Sequence, residues 1–466
     1  MLLTDGRLAS HAYDCLVVGS GPAGLSVALT LAEAGKRVLI VESGNAGPAR
    51  RDLSNTIGYG HYSADYWNAH WSRALGGTSD VWSGWCTTLR TIDFDNPAIG
   101  VRWPITRDDL LPYYRRAAPM LDHDPDFIDF EAPLLPGFRY RPVPIAAPTR
   151  FGTRYLEQLR GSAAIDVALG CSVVGLKANE SRSSLVGLEY VHHESEVRRE
   201  IALSGSQGVV LAAGGIGNAQ LLLQPAGDSD VPIGNESGHV GKFLMEHPHF
   251  NRAGELAIDE ELDRFWPAEH TGRGAHALVV DDEVARRERL YACNLQCSRK
   301  TTDHEMARFL TREAGRPFYH YVITSRSEML PSESNRVFLT AERDRSGLFR
   351  PGVRCVLDAR DLLNVEQTLR VLGDVLMRQG KGRVRVNNDR IYKQVEGGGH
   401  TLGTTRMGVS RATSVVDRDC RVHGYSNLFV AGSSVFPTGG YANPTLTIVA
   451  LGLRLAGRLV ETGVAA

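Results

Sequence analysis

Short apolar runs and one helical repeat near the start of the chain follow the order strand, helix, strand. Residues 14–18 (DCLVV) and 37–42 (RVLIVE) are apolar runs of strand length, typical of strands buried on both faces of a parallel sheet. Between them, residues 25–34 (LSVALTLAEA) place apolar side chains at helical spacing, and Gly35 ends the repeat. The pattern predicts a β–α–β unit of about thirty residues, the length that a parallel crossover needs.

The chain then becomes loop-rich before it returns to regular patterns. Residues from about 43 to 148 carry many Gly, Trp, Pro and Asp residues, whereas 165–176 and 185–203 alternate like strands. Residues 208–213 (GVVLAA) predict another buried strand, and residues 217–224 continue as a helix.

Residues 246 to about 394 have a different sequence pattern, in which charged segments alternate with short β-like runs such as 336–339. We interpret it as a separate domain with an antiparallel sheet. Beyond it, residues 428–432 (LFVAG) predict a last buried strand. Asn443 and Pro444 then open a helix, because Asn suits the cap and Pro suits the first helical position.

These elements predict an α/β fold in which a Rossmann-like nucleotide-binding domain is interrupted by an inserted antiparallel-sheet domain. The first part of the nucleotide-binding domain is expected over residues 1–245, including a loop-rich excursion at about 45–150. The inserted domain is expected over residues 246–394, and residues 395–466 return to the nucleotide-binding domain.

Composition limits the classes of protein that fit. The 466 residues are 42% hydrophobic, which is enough for a large core. Chains of this length usually divide into two domains. The formal net charge of −1 gives no basic excess for binding nucleic acid. The seven cysteines are scattered, which fits a reducing compartment. Cys293 and Cys297 are spaced CxxxC without a second pair, so no metal site is expected.

No segment has the pattern of a targeting or membrane-spanning sequence. The first residues, MLLTDGRLASHAYD, lack a basic region followed by an apolar one. The C-terminal apolar run 445–460 is interrupted by Arg454 and Arg458, which predicts a docked helix rather than a membrane span. A cytoplasmic protein is therefore expected.

A glycine motif stands where a dinucleotide-binding turn requires it. Gly19 permits the tight turn, Gly21 lets the backbone approach a pyrophosphate, and Gly24 lets helix and strand pack closely. The helix N-terminus offers free N–H groups and a positive dipole end to the phosphates. Glu42 ends the second strand, where a carboxylate can accept bonds from ribose hydroxyls. The motif reads Gly19-Ser20-Gly21-Pro22-Ala23-Gly24.

Five segments spread over nearly the whole chain resemble the glucose–methanol–choline (GMC) oxidoreductase family, in the family's order. The resemblance implies that the dinucleotide is FAD and that residues 246–394 form a substrate domain. The segments are VVGSGPAGLSVALTLAEAGKRVLIVESG from Val17, RALGGTSDVWSG from Arg73, VVLAAGGIGNAQLLL from Val209, VGKFLMEHP from Val240, and HTLGTTRMG from His400 together with LFVAGSSVFPTGGYANPTLTIVALGLRLA from Leu428.

The resemblance also implies particular contacts with FAD. Val173 matches a residue whose backbone meets the adenine, and Gly432 with Ser433 stand where many relatives have Asp-Ala, so contact there is expected through the backbone. Other residues match the loop along the flavin, the loop behind the pyrophosphate, the turn beside the pyrimidine ring, and the first segment. The loop along the flavin is matched by Gly76, Gly77, Thr78 and Ser79, and the loop behind the pyrophosphate by Ala213 and Gly214. The turn beside the pyrimidine ring is matched by Asn443, Pro444 and Thr445, and the first segment contributes Pro22, Ala23 and Ser43.

The expected attachment of FAD is non-covalent. Some sugar-oxidising relatives attach FAD through a His in a Ser-Thr-His-Trp segment. Here the segment reads Ser79-Asp80-Val81-Trp82, and Val81 occupies the place of that His. Covalent attachment at this position is therefore excluded.

Two residues match the catalytic pair of the family. Oxidation of an alcohol removes a proton from oxygen and a hydride from carbon; flavin N5 can accept the hydride, and a neutral imidazole suits the role of base. His400 opens HTLGTTRMG, which matches the segment of the catalytic His, so the resemblance implies that His400 is the base. Asn443 matches the second position, which is His or Asn across the family, and its amide would hold the substrate oxygen. Asn443 also fits an ordinary helix cap.

Several other residues leave alternatives open. The segment Glu246-His247-Pro248 is family-like and is interpreted as the chain crossing between domains. His249 and His320 could face the substrate. Alternate residues of one predicted strand form an apolar stripe, namely Tyr319, Tyr321 and Ile323. The stripe could form a wall of the substrate site, although core packing is the commoner reason for such a pattern.

The expected activity is FAD-dependent oxidation of an alcohol hydroxyl on a small molecule. Residues 75–89 and 102–117 are more similar to the sugar- and polyol-oxidising branch of the family than to its choline or aryl-alcohol branch. A hydroxyl of a glycoside, cyclitol or aminosugar is therefore the first choice. O₂, a quinone and a protein are all open as electron acceptor. The alternatives are an FAD-containing lyase of the oxynitrilase type and a flavoprotein subunit of a cytochrome-linked dehydrogenase.

Overall fold

A computed structural model gives the fold of the chain. Among the residues it describes, no helix is both long and apolar enough to cross a membrane. The expectation about targeting concerns residues 1–14, which lie partly outside the described residues. The described residues are 1–3, 8, 13–49, 55–126, 128–226, 231–264, 274–300 and 304–463.

A six-stranded parallel sheet carries the predicted nucleotide site. All of its neighbouring strands pair in parallel. Four of the strands are buried at every residue, which is why their sequences are apolar throughout and why the pattern predicted them. In sheet order the strands are β1 (Leu2–Leu3), β10 (Ile165–Ala168), β3 (Val38–Val41), β2 (Cys15–Val18), β14 (Gly208–Leu211) and β24 (Leu428–Val430).

Helices α1 (Pro22–Glu33) and α13 (Thr445–Thr462) pack against each other beside this sheet. Gly452 permits their close approach, because a Cβ at that position would lie 2.1 Å from Ser26 Oγ. Helix α1 begins earlier than the predicted start at residue 25, since proline suits the first helical turn. The buried residues of α13 confirm the predicted docked helix.

A three-stranded antiparallel meander follows β10. The alternating pattern at 165–176 is therefore divided, with its first part in the parallel sheet and its second part in the meander. The strands of the meander are β11 (Cys171–Ala178), β12 (Leu185–His192) and β13 (Val197–Ala202).

The predicted antiparallel sheet is present as a large sheet. Helix α11 (Ala359–Arg378) packs on it, and Leu369 and Leu372 of the helix share a second core with Leu256 and Ile323 of the sheet. The strands in sheet order are β22 (Gly382–Val386), β15 (Pro248–Asp259), β19 (Phe318–Ser327), β18 (Cys293–Arg299), β17 (Ala277–Val280), β8 (Phe138–Tyr140) and β7 (Ala132–Leu135), with β23 (Val395–Gly397) paired to β15.

Sheet membership departs from the expected domain ranges in two places. Strands β7 and β8 come from the loop-rich excursion yet extend the large sheet. Conversely, the β-like run at 336–339 belongs to a separate three-stranded sheet, formed by β20 (Arg336–Arg343), β21 (Phe349–Cys355) and β4 (Ile57–Gly60).

Shorter elements complete the fold. The strands are β5 (Asp95–Asn96), β6 (Val101–Arg102), β9 (Val143–Pro144) and β16 (Gly274–Ala275). The helices are α2 (Ala64–Ala69), α3 (Thr91–Phe94), α4 (Arg107–Met120), α5 (Phe151–Arg154), α6 (Leu156–Gly161), α7 (Gly214–Leu223), α8 (Glu260–Asp263), α9 (Asp282–Glu288), α10 (Glu305–Ala314) and α12 (Asn388–Lys393), with 3₁₀ turns at Gly77–Asp80 and Ser433–Val435.

Candidate active site

The carboxyl ends of β2, β3, β14 and β24 open onto one cavity. This is the edge of a parallel sheet at which ligands bind, because the loops that follow the strands meet there. Of the predicted site residues, Gly24 and Gly76 do not line the cavity. Those that line it are Gly19, Gly21, Pro22, Ala23, Glu42, Ser43, Gly77, Thr78, Ser79, Val173, Ala213, Gly214, His400, Gly432, Ser433, Asn443, Pro444 and Thr445.

The glycine motif forms the turn between β2 and α1. Gly19 has φ of 103°, in the left-handed region that favours glycine. A Cβ at Gly24 would lie 2.0 Å from the carbonyl oxygen of Gly19. Gly24 therefore acts by letting the helix pack on the turn, which explains why it does not itself face the cavity.

Three helices begin at the cavity wall, and in none of them does the side chain of the N-cap residue cap the first turn. These are α1, α7 and α13, and none carries an acidic residue in its first turn. Their free N–H groups and positive dipole ends suit an anion, since both favour negative charge. The cavity thus fits a dinucleotide with a pyrophosphate.

Arg73 adds a cationic group to this wall. Its guanidinium lies over the Trp71 ring, 4.1 Å from the ring centroid, and its Nη1 is 3.4 Å from Ser43 Oγ. Its Nε is buried without a hydrogen-bond partner among the described residues. Burial lowers the pKa of Arg73. An unpaired buried donor of this kind fits an oxygen of a bound dinucleotide.

Glu42 is buried directly after β3, and its carboxylate binds the glycine turn between β2 and α1. Its Oε2 accepts hydrogen bonds from the amide and the hydroxyl of Ser20, at 2.9 and 2.6 Å. Its Oε1 accepts the amide of Gly44 at 2.7 Å. The carboxylate therefore fixes the glycine turn in addition to its predicted role toward ribose.

Replacing Glu42 by alanine should weaken FAD binding by roughly 1–3 kcal/mol, the scale of hydrogen bonds to a charged group. Glu42→Gln, which keeps one acceptor oxygen, should lose less. Titration of the apoprotein with FAD measures both effects. If Glu42→Ala binds FAD as tightly as the wild type, Glu42 is not a ribose ligand.

His400 and Asn443 meet at the same cavity. His400 Nε2 lies 3.4 Å from Asn443 Nδ2, and the His400 side chain is only 14% exposed. Burial first, then the nearby His247, His249 and His70, lower the pKa of His400 well below its usual range. The neutral imidazole that a base requires is therefore the form present near neutral pH.

A carboxylate and a phenol hold the backbone ahead of His400. Glu246 accepts the amides of Gly398 at 2.6 Å and His400 at 2.5 Å, and it also accepts the hydroxyl of Tyr66 at 2.9 Å. The Tyr66 hydroxyl in turn accepts the amide of Gly399. Three consecutive backbone amides thus have hydrogen-bond acceptors, and these bonds hold in place the backbone from which the His400 side chain projects.

The run of three glycines before His400 follows from this packing. A Cβ at Gly397 would lie 2.1 Å from the Tyr66 hydroxyl, and one at Gly398 would lie 2.7 Å from His400 Nδ1. A Cβ at Gly399 would lie 2.3 Å from the His70 ring. Side chains at these positions would displace the groups that form the site.

His247 lies behind His400. Its Nδ1 is 2.8 Å from His400 Nδ1, and its Nε2 is 3.3 Å from the carbonyl oxygen of Gly439. The ring is 1% exposed, and burial lowers its pKa to about 4. The segment interpreted from sequence as a domain crossing therefore contacts the candidate base directly.

Glu328 holds the loop that carries Gly439. Its Oε1 accepts the amides of Gly439 and Gly440 at 3.0 and 2.9 Å. The side chain is fully buried, and burial together with the charge of Asp93 raises its pKa to about 8. The carboxyl thus keeps its proton in the folded protein at pH values where the unfolded chain has lost it.

The stability of the holoenzyme should consequently fall as pH rises toward 8, because the folded state then loses a proton that the unfolded state does not hold. The raised pKa of Glu246 is about 7, so the loss of stability between about pH 7 and 8 is expected to come mainly from Glu328. Thermal unfolding at both pH values should show a smaller fall in Glu328→Gln than in the wild type. The exposed Glu33→Gln is the control, and an undiminished fall in Glu328→Gln would contradict this assignment.

The structure corrects one interpretation made from the sequence and decides two that were left open. The interpretation of Asn443 as a helix cap is wrong: Pro444 holds the cap position of α13, no described side chain caps that helix, and the Asn443 amide meets His400. His320 stacks on His304 at 3.9 Å, outside the cavity lining. Tyr321 belongs to the second core, so core packing accounts for the stripe at 319–323.

Glu255, His304 and His320 bring three ligand-type side chains within 4.8 Å of one another. His304 Nδ1 accepts the amide of Met306 at 3.3 Å, so the ring proton of neutral His304 resides on Nε2. That Nε2 faces Glu255 at 3.3 Å. A metal ligand would need a free lone pair at Nε2 and a proton on Nδ1, so the contact of His304 with Glu255 fits a hydrogen bond and not a metal ligand.

Sequence reasoning passed over several residues of the site. Tyr66 and His70 lie in the loop-rich excursion, where no pattern singles out one residue, whereas Arg73 opens a segment that resembles the family. Glu246 and His247 stand in a segment that resembles the family, and the glycine run before His400 was a further signal of close packing.

Two family models match the chain. The model described as "FAD dependent oxidoreductase" matches residues 14–284, and the model described as "GMC oxidoreductase" matches residues 331–452.

The chain is also similar to individual proteins. It is 25% identical to paromamine 6'-oxidase of Streptomyces fradiae, over 97% of this chain and 92% of that protein. It is 24% identical to the fructose dehydrogenase large subunit of Gluconobacter japonicus, over 62% of this chain and 53% of that protein. The crystal structure of pyridoxine 4-oxidase from Mesorbium loti superposes with a TM-score of 0.60, covering 96% of this chain and 99% of that chain at 16% identity.

The fold, the cavity and these matches define an FAD-dependent oxidoreductase that acts on CH–OH groups. The chain belongs to the family of FAD-dependent oxidoreductases, and its residues 331–452 match the GMC oxidoreductase model within it.

Proposed function

We propose that this enzyme oxidises a hydroxyl of a sugar, and of an aminosugar in particular, to a carbonyl group. The observation that carries the proposal is the meeting of His400 Nε2 and the Asn443 amide, 3.4 Å apart, at the wall of the cavity that fits FAD. The names of two relatives give paromamine, an aminoglycoside, and fructose as substrates. In this proposal, residues 246–394 form the substrate domain and the predicted residues that line the cavity hold FAD.

The two side chains have complementary tasks. A substrate hydroxyl placed between them would donate its proton to His400 Nε2 and accept a hydrogen bond from Asn443 Nδ2. The 3.4 Å contact between the two groups is long for a hydrogen bond, so a hydroxyl replaces it at small cost. FAD, when bound, supplies the acceptor for the hydride.

The aromatic lining suits an aminosugar. Trp82 and Trp85 line the cavity and are partly exposed. The indole N–H of Trp82 is already bonded to the carbonyl of Thr149 at 2.9 Å, so its contribution to a ligand is the ring face. An ammonium group over an indole face gains a cation–π interaction of about 0.5–2 kcal/mol.

Anaerobic reduction of the bound flavin tests the proposal without reference to the electron acceptor. Aminoglycosides, neutral sugars and polyols should be compared, each beside a deoxy analogue that lacks the hydroxyl. Loss of the yellow colour with an aminoglycoside, but not with its deoxy analogue, is the expected result. Bleaching by simple alcohols alone would overturn the substrate class, and cyanohydrin cleavage without bleaching by any compound would identify a lyase.

A second candidate is the flavoprotein subunit of a cytochrome-linked dehydrogenase, which the likeness to the fructose dehydrogenase large subunit favours. Reoxidation of the reduced enzyme separates the two. Rapid reoxidation by O₂ identifies an oxidase, whereas reoxidation by a quinone or a cytochrome with slow reaction toward O₂ identifies a dehydrogenase.

Acid precipitation should release the flavin from the purified yellow protein, because Val81 offers no atom for a covalent bond. Val81 lines the cavity and is 48% exposed, so the position itself is accessible to a ligand. Absorbance of the supernatant measures the released FAD. Flavin that stays with the denatured chain would contradict non-covalent binding.

A further inference from the structure

The contact between His247 and His400 contains a single hydrogen-bonding proton. Two Nδ1 atoms 2.8 Å apart form a hydrogen bond only if one carries hydrogen and the other offers its lone pair. Which ring is the donor decides where the lone pair of neutral His400 lies. If His400 Nδ1 accepted the bond, its Nε2 would carry hydrogen and could not act as a base toward the cavity.

The far side of the His247 ring resolves this choice. His247 Nε2 faces the carbonyl oxygen of Gly439 at 3.3 Å, and a carbonyl oxygen can only accept. The peptide is held in that orientation, since Glu328 accepts the amides of Gly439 and Gly440. A Cβ at Gly439 would lie 2.9 Å from His247 Nε2, so glycine also permits the approach.

We propose that His247 is a positioning residue that sets the tautomer of His400. The Gly439 carbonyl holds the single proton of His247 on Nε2, so that His247 Nδ1 accepts and His400 Nδ1 donates. The lone pair of His400 then lies on Nε2, facing the cavity. This inference rests on the proposed function of His400 as the base.

The opposite wall agrees with this tautomer. With a lone pair on His400 Nε2, the atom of Asn443 that faces it must be a donor, and the amide nitrogen is in that place. Burial keeps His247 neutral, because it lowers the pKa of the ring to about 4. A neutral His247 can only be an acceptor at Nδ1 once its Nε2 holds the proton.

Proton transfer leaves this chain of bonds intact. As the substrate O–H bond breaks, an N–H bond forms at His400 Nε2, while the Nδ1–H of the resulting imidazolium still points to His247. Glu246 Oε1 lies 3.9 Å from His400 Nδ1 and can offset the new positive charge. His247 does not line the cavity, so it acts through His400 and not on the substrate.

Nitrogen NMR of the holoenzyme labelled with ¹⁵N-histidine tests the tautomers directly. The ring signals of His400 and His247 are assigned by their loss in His400→Ala and His247→Leu. The expected result is hydrogen on Nδ1 of His400 and on Nε2 of His247. Hydrogen on Nε2 of His400 would overturn the inference, whatever the activity of the enzyme.

Two variants of His247 connect the tautomer to the reaction. His247→Leu keeps an apolar group of similar size but removes the acceptor, and it should slow anaerobic flavin reduction by about 10–100-fold, the scale known for losing a partner that orients a metal-bound histidine. Substrate affinity should change less than the rate, and the Nδ1–H signal of His400 should weaken. His247→Asn, whose amide oxygen comes near the place of Nδ1, should recover most of the rate and of the signal.

The outcomes separate the two proposals. Loss of the Nδ1–H tautomer in His247→Leu without a change in rate would show that His400 is not the base. Equal losses of rate in His247→Leu and His247→Asn, with the His400 tautomer unchanged, would overturn the positioning role. A purely structural defect would slow both variants alike, whether or not the new side chain offers an acceptor.

Discussion

His400→Ala is expected to slow anaerobic flavin reduction by about 10²–10⁴-fold, the usual contribution of a positioned base. The variant should still fold and bind FAD. The amides of Gly398 and Gly399 would keep their bonds to Glu246 and Tyr66, and the uncapped helix N-termini do not depend on the imidazole. The loss should therefore appear in the rate and not in the yellow colour.

The pH dependence of this rate adds a second signature. Because burial and neighbouring histidines lower the pKa of His400, the wild-type rate should be level near neutral pH. It should fall only on the acid side of about pH 6.5, the ordinary value for imidazole, as His400 gains a proton. This acid limb should vanish in His400→Ala.

Stopped-flow measurements of the wild type, His400→Ala and His423→Ala from acid to neutral pH make the comparison. His423 is outside the cavity lining and bonds Ser414, so its removal is a control for the loss of an imidazole. A near-normal rate in His400→Ala with the acid limb intact would show that the base is another group. His70 would then be examined first, since it also lines the cavity.

The nucleotide half of the site could be predicted because its determinants are local. A turn that needs glycine at Gly19 and close packing at Gly24 leaves its trace within six consecutive residues. The strands before and after it are buried on both faces, and burial selects apolar residues at every position. Sequence alone thus predicted the β–α–β unit, although it placed the start of the helix at residue 25 and not at Pro22.

The surroundings of His400 could not be predicted in the same way. His247 and Gly439 come from segments far apart in the chain, and only the folded structure places both of them near one imidazole. No periodic pattern encodes a contact between side chains of that separation. The same holds for strands β7 and β8, which join a sheet whose other strands begin more than a hundred residues later.

Asn443 shows how a local rule can mislead. Asn before Pro fits a helix cap, but the cap position of α13 is one residue later and the Asn443 side chain turns toward the cavity. The amide is therefore available to a substrate oxygen. This difference has a measurable consequence, since a lost cap would cost about 1 kcal/mol of stability whereas a lost contact to substrate would cost only rate.

Asn443→Ala should slow flavin reduction by roughly 10–10³-fold, because it removes a bond that positions the substrate oxygen but leaves the proton acceptor in place. The acid limb of the rate should persist, since His400 is still the base. Thermal unfolding of the holoenzyme should be nearly unchanged. Stopped-flow reduction and a melting curve of the same preparation measure both effects.

Asn443→Asp is the matched variant, because it keeps the shape of the side chain but replaces the amide donor by a carboxylate. A negative charge beside His400 favours the imidazolium and raises its pKa, so the acid limb should move to higher pH. The rate near neutral pH should therefore fall in both variants, but only Asn443→Asp should shift the limb. A limb that stays in place in Asn443→Asp would mean that the side chain at 443 does not face the imidazole in the working enzyme, and Asn443 would lose its assigned role.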